Sequence, residues 1–170
     1  HQDGHSLVLA STVPVCEAYD PAFAYETAEV IRHGIERMYG PEPEDVFYYL
    51  TLHNENYVMP ARPDTPGIVE GIIEGLYRWQ PAPKDKAMPK ATLLFSGAAQ
   101  GAVREAAAEL ADRWGVAAEL WSATSYKRLR EEALLDLLPE RELALHPVLL
   151  EEAQVERGVL HPDGDVPGDE

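Results

Sequence analysis

The sequence predicts an α/β fold. Three observations predict it: an amphipathic helical period between residues 24 and 38, an aromatic and β-branched run at 46–52, and a strand, helix, strand succession over 92–121. Ala24, Ala28, Ile31, Ile35 and Met38 recur at four- and three-residue steps, which places them on one face of a helix. Asp20-Pro21 reads as its start, because aspartate accepts the open N–H groups of a first turn and proline suits the first helical position. Gly40-Pro41 stops it, so the helix is expected over 22–39. Val46 to Leu52 (VFYYLTL) is too short for a typical helix and predicts a buried strand. Ahead of both, Leu7 to Ala10 is a short apolar run closed by small and turn-forming residues.

A loop is expected from His53 to about Pro66, and Ile68 to Trp79, interrupted by Gly71 and Gly75, fits a helical or a mixed segment. Residues 80–91 (QPAPKDKAMPKA) carry three Pro and three Lys without apolar periodicity, the composition of a linker, and a domain boundary is placed at 81–91. Thr92 to Phe95 then predicts a strand. Gly97 to Trp114 predicts a helix with Val103, Ala107, Leu110 and Trp114 on one face and Gly115 as its stop, and Ala117 to Trp121 a second strand. Such a βαβ unit implies parallel strands with a right-handed crossover. A helix is expected from Tyr126 to Leu138, broken at Pro139, and a loose acidic tail carries Pro162, Gly164, Pro167 and Gly168.

The 170 residues are 45% hydrophobic and 26% charged, enough for one or two globular units with cores. No apolar run reaches the roughly 20 residues that cross a bilayer, and the first residues lack the pattern of a signal peptide. The expected address is the cytoplasm, away from membranes. The single cysteine, Cys16, reads as a small buried hydrophobe, since it has no second cysteine for a disulfide or a zinc cluster. A net charge of -16, with 14 scattered Lys and Arg, opposes nucleic-acid binding. The chain opens at His1, inside what reads as a motif, which predicts further sequence upstream.

Two stretches carry candidate chemistry. In HQDGHS, a turn at Gly4 gathers His1, Asp3 and His5, a set suited to acid–base work or to a metal, though His and Asp beside Gly are also common in ordinary loops. In HNENYVMP, His53, Asn54, Glu55, Asn56 and Tyr57 follow a strand, and open α/β sheets bind ligands beyond their strands' carboxyl ends. An ordinary loop with side chains satisfying local backbone groups fits equally well. Three other features are weaker. The turn SGAAQG (96–101) lacks a dinucleotide or P-loop signature and reads as close strand–helix packing. PDGD (162–165) lacks the other ligands of a calcium loop, and the Phe47, Tyr48, Tyr49 cluster reads as core or subunit interface.

Together, HQDGHS with STVP, YDPAFAYE (19–26), GIERMYG (34–40), YYLTLHNENYVMP (48–60) and VREAAAELADRWGV (103–116) resemble consecutive blocks of homodimeric-type pyruvate dehydrogenase, in that family's order and spacing over 1–126. The resemblance implies a transketolase-like thiamine-diphosphate-binding fold. Residues 1–80 would close its pyrimidine-binding domain, 81–91 would be the linker, and 92–170 would start its C-terminal α/β domain. It further implies thiamine diphosphate and Mg²⁺ as cofactors, pyruvate as substrate, a homodimer, and transfer of the acetyl group to a lipoyl group on a partner dihydrolipoyl acyltransferase. His1 matches the family's active-site histidine near the reacting carbonyl carbon, with Asp3 and His5 supporting its loop. The family's G-D-G…Asn motif for cofactor and metal is not in this sequence, nor is its activating glutamate, so the chain alone is expected to be an inactive fragment, with no metal ligands and no identified cofactor-binding residue. VERGVLHP (155–162) matches a family stretch only after a long Leu/Glu-rich segment and with Gly158-Val159 where the family has Trp-Asn. The rival expectation is a non-catalytic dimerisation or binding module derived from such an enzyme; a nicotinamide-dependent dehydrogenase would rest on the βαβ unit alone.

Overall fold

The computed structural model describes residues 4–84 and 88–136. Contacts divide the chain into a unit of His1–Glu131 and a second of Glu132–Glu170. Nearly all of the second lies outside the described residues, as do the expected tail and the VERGVLHP stretch. The first unit runs α1 (Ser6–Ser11), β1 (Cys16–Tyr19), α2 (Ala24–Tyr39), β2 (Phe47–Leu50), α3 (Ile68–Glu74), β3 (Leu76–Gln80), β4 (Lys90–Phe95), a 3₁₀ turn (Gly97–Ala99), α4 (Gln100–Trp114) and β5 (Ala117–Ala123). Residues 126–136 are helical.

Two small sheets result. β1 and β2 pair in parallel, Cys16 opposite Phe47 and Tyr19 opposite Leu50. The second sheet has the order β3-β5-β4, with β4 parallel to β5 and β3 antiparallel to it. The predicted βαβ unit is therefore present, with α4 as its crossover helix. Buried aromatic packing backs the second sheet. Phe23, at the start of α2, stacks on Trp79 of β3 at 5.4 Å and meets Phe95 of β4 edge-on at 5.8 Å. Tyr19, Val30, Ile68, Ile72 and Tyr77 form a second buried cluster.

Several expectations are corrected. The run at 7–10 is part of helix α1, and β1 follows it at Cys16, which is buried as expected; burial pushes its thiol pKa up. Helix α2 begins at Ala24 with Phe23 as its N-cap. Asp20 caps nothing; it bonds to the end of β2 instead. The buried face of α2 is Glu26, Val30 and Gly34, one residue out of phase with the predicted stripe, and Ile31 and Ile35 are 48% and 55% exposed. Gly34 sets this phase: a Cβ there would lie 3.1 Å from the Tyr48 ring, so the helix lies close against β2 at its glycine. β2 is a strand, but a half-exposed one, with Phe47 48% exposed. On α4, Val103, Ala107 and Leu110 are half-buried while Trp114 is exposed, and Gly115 ends the helix at φ +60°.

The segment 68–79 is a helix and a strand divided by Gly75, whose φ of +106° is left-handed. Because β3 precedes residues 81–91 and pairs with β5 beyond them, the expected linker joins two strands of one sheet.

Two buried charged residues tie the unit together. Glu26, fully buried, reaches back from the third position of α2 to accept the N–H groups of Ala22 (2.6 Å) and Phe23 (3.0 Å). Its other oxygen accepts the hydroxyls of Tyr77 on β3 (2.5 Å) and Ser122 on β5 (2.7 Å). One carboxylate thus caps a helix and joins it to two strands. Burial raises its pKa, and the four donors oppose that shift. Lys127 has only 3% of its side chain exposed. Its ammonium group donates to the carbonyls of Val13 (3.1 Å), Pro14 (3.0 Å) and Cys16 (2.5 Å), clasping the turn that leads from α1 into β1.

Candidate functional site

The carboxyl ends of β1, β2, β4 and β5 converge on Asp20, the residue that follows β1. Its backbone N–H donates to Thr124 O beyond β5 (2.8 Å), and its carbonyl accepts from Gly97 N beyond β4 (3.2 Å). Its Oδ1 accepts the hydroxyl of Thr51, just past β2, and bonds His53 Nε2 at 3.0 Å. The sequence dictates this meeting point: each strand breaks at a polar or small residue, and those residues pair with one another instead of with water.

Gly97 makes the approach geometrically allowed. Its φ of +48° is left-handed, and a Cβ there would collide with His53 Nε2 and lie 2.8 and 3.0 Å from the two carboxylate oxygens of Asp20. The turn expected to serve close strand–helix packing thus seats a carboxylate–imidazole pair.

A cleft of about 600 Å³ opens beside the pair. Gly4, Leu7, Asp20, Thr51, His53 and Asn54 are among its walls. Gly4 belongs to the HQDGHS stretch, so two stretches singled out in the sequence meet on one cavity. Of the predicted site residues, His1 and Asp3 lie outside the described residues. His5 is exposed at the N-cap of α1, where its carbonyl accepts from Leu9 N at 2.8 Å. A larger hollow, of about 680 Å³, runs along α4 past Ala107, Ala108 and Ala111; its alanines offer packing rather than chemistry.

Sequence reasoning missed Asp20 and Thr51. Asp20 reads locally as a helix cap, and the signal that was available is the Thr-x-His spacing at the end of β2, which points both side chains the same way. No group of three or more His, Cys, Asp or Glu suited to a metal ion occurs among the described residues. No helix among them is long and apolar enough to cross a membrane.

The molecule is a mixed α/β protein whose polar cleft lies where parallel strands end, the usual place for a ligand in such folds. Comparison with known proteins narrows this class. Residues 1–60 match the family model of the pyruvate dehydrogenase E1 component middle domain. The chain is 50% identical over 134 residues to the pyruvate dehydrogenase E1 component of Mycolicibacterium smegmatis, covering 79% of this chain and 14% of that protein. It is 46% identical to the same component of Mycobacterium tuberculosis over 134 residues, again 79% and 14%, and 46% identical to that of Escherichia coli K12 over 132 residues, 78% and 14%. The chain is thus similar to these pyruvate dehydrogenase E1 components and spans 14% of the length of each of the three.

Proposed function

We propose that this chain is a piece of a pyruvate dehydrogenase E1 component, and that the parent oxidatively decarboxylates pyruvate with thiamine diphosphate and Mg²⁺ and passes the acetyl group to a lipoyl group of a dihydrolipoyl acyltransferase. The observation that carries the reading is the 50% identity over 134 residues to a protein of that name. The cleft supports it, because it joins the HQDGHS stretch to the carboxyl ends of two parallel strands. Homodimer formation and a cytoplasmic address belong to the same proposal.

Residues 1–60, matched to the middle-domain model, are assigned to the parent's pyrimidine-binding domain, and the C-terminal α/β domain starts no later than β3, since that strand completes the β4–β5 sheet. The boundary therefore falls between residue 60 and Leu76, ahead of the 81–91 segment.

The described residues do not fit the cofactor's diphosphate and metal: they hold no ligand cluster for Mg²⁺, and the sequence has no G-D-G motif. The role assigned to this chain is that of His1 as an acid–base group at the reacting centre, with Asp3 and His5 in support. Titration calorimetry with thiamine diphosphate and Mg²⁺ tests this: the 170-residue chain should show no specific binding. In a complete E1 component carrying this sequence, His1→Ala should keep cofactor binding and lower turnover roughly 10²- to 10⁴-fold. Turnover within a factor of a few of the unaltered protein would remove His1 from the reaction.

A further inference from the structure

We infer that His53 is a proton-exchanging residue of the cleft, with Asp20 as the positioning residue that holds its ring by Nε2 and leaves Nδ1 for the ligand. Three observations carry this. The Nε2–Oδ1 distance of 3.0 Å fixes which nitrogen faces the carboxylate. A ring donating one N–H to a carboxylate keeps its other nitrogen as the proton acceptor. Asp20 is itself immobilised: Thr51 bonds the same oxygen, and its backbone is held by Thr124 and Gly97.

Burial separates this pair from an internal structural brace. The Asp20 side chain is 13% exposed and that of His53 is 35% exposed, so the anchor is sheltered while the imidazole stands on the cleft wall. Gly97 closes the other side, since any side chain there would push the two groups apart. The ring's free edge is thereby directed by its surroundings rather than by rotation in solvent.

The exchange is simple to balance. Nδ1 takes a proton from a hydroxyl or an enol of the ligand, the lone pair becomes an N–H bond, and the positive ring is offset by the Asp20 carboxylate. Returning the proton to a carbanion or an alkoxide restores the neutral ring. A ligand with such a group, a small alcohol or an enolisable carbonyl compound, is the chemical class that the cleft would serve. The role rests on the reading of this cleft as part of a reaction site; the ring's state is measurable without it.

Nitrogen-15 NMR of histidine-labelled chain, with His53 assigned by His53→Gln, should show that the neutral form of the ring carries its proton on Nε2. A neutral ring with its proton on Nδ1 would overturn the inference. Diethyl pyrocarbonate, followed by peptide mass spectrometry, should modify His53 several-fold faster in the unaltered chain than in Asp20→Asn. Equal rates in the chain and in Asp20→Asn would also overturn it. If Asp20→Asn does not fold, the tautomer of the unaltered chain decides the matter. Turnover in a complete E1 component separates this from the proposed function. Loss of kcat in His53→Gln with KM little changed supports the assignment; unchanged kcat in an active enzyme overturns it; and a complete protein with no activity on pyruvate overturns the function while leaving the tautomer result standing.

Discussion

With its carboxylate fully buried and four donors directed at it, Glu26 is pulled two ways: burial favours the neutral acid, and the hydrogen bonds favour the anion. Burial prevails, so the folded state holds the Glu26 proton more tightly than the unfolded chain does. This contribution to stability is fully present below the ordinary value of 4.5 and is lost as pH rises from there through the raised folded value. Urea denaturation across a pH series should accordingly show the unaltered chain losing stability relative to Glu26→Gln as pH climbs from 4.5 toward neutrality; a relative gain would mean that the four donors win. Glu26→Ala should cost several kcal/mol at any pH, since it strands buried donors worth about 1–3 kcal/mol each. None of this was legible beforehand. Glu26 stands in a helical period like any other polar residue, and its hydroxyl partners lie 51 and 96 residues away in sequence. Cys16 was legible because a lone cysteine among apolar neighbours has few alternatives.

At the level of elements, α2, β2 and the βαβ unit could be read from periodicity, composition and glycine stops, all of which are local. What failed was orientation and division. The apolar count put Ile31 and Ile35 inward, whereas contact with the Tyr48 ring at Gly34 turned the helix the other way. β3 escaped notice because five residues after a glycine leave no period to count, and its partner strand begins 41 positions after β3 does (Leu76 to Ala117). Gly75 is the device that makes this division. Its left-handed φ and the 2.6 Å separation of a hypothetical Cβ from Ser125 O mean that Gly75→Ala is both strained and crowded. The expected loss is about 2 kcal/mol or more, readable as a lower denaturant midpoint with little change in slope. By contrast, Gly101→Ala, which meets nothing within 4 Å, should be neutral or slightly stabilising in the first turn of α4. Phe23→Ala, which removes the ring that packs the start of α2 on β3 and β4, should cost about 3–5 kcal/mol.

Considered as a whole molecule, the chain sets an acidic charge against exposed apolar groups. Ile31, Ile35 and Tyr39 are 48%, 55% and 79% exposed on α2, and Leu52 and Val58 are 71% and 86% exposed beyond β2. Ile31, Ile35 and Tyr39 fall at four-residue steps on one open face of α2, a surface through which copies of the chain can associate. The net charge of -16 opposes association through it at low ionic strength, and salt screens that repulsion. Sedimentation velocity should therefore show the chain self-associating more strongly as salt is raised, and Ile31→Lys together with Ile35→Glu should restore the smaller species without altering the far-ultraviolet spectrum. A monomer indifferent to salt would count against these faces as interfaces. The family could be read from motif order alone, while the cleft could not, because its parts meet only after residues 4, 20, 51, 53 and 97 have been folded together.

The clasp made by Lys127 also turns a primary amine into a clock. An ammonium group that donates to three carbonyls, on a side chain only 3% exposed, is out of reach of acylating reagents while the α1–β1 turn is closed. It becomes reactive only in molecules where that turn has opened. The rate at which Lys127 is acetylated, divided by the rate of a freely exposed lysine such as Lys90, then gives the fraction of time spent open. Followed in the intact chain, and again with a ligand in the cleft, this single ratio reports how firmly the turn between α1 and β1 is held against the helix that bears Lys127.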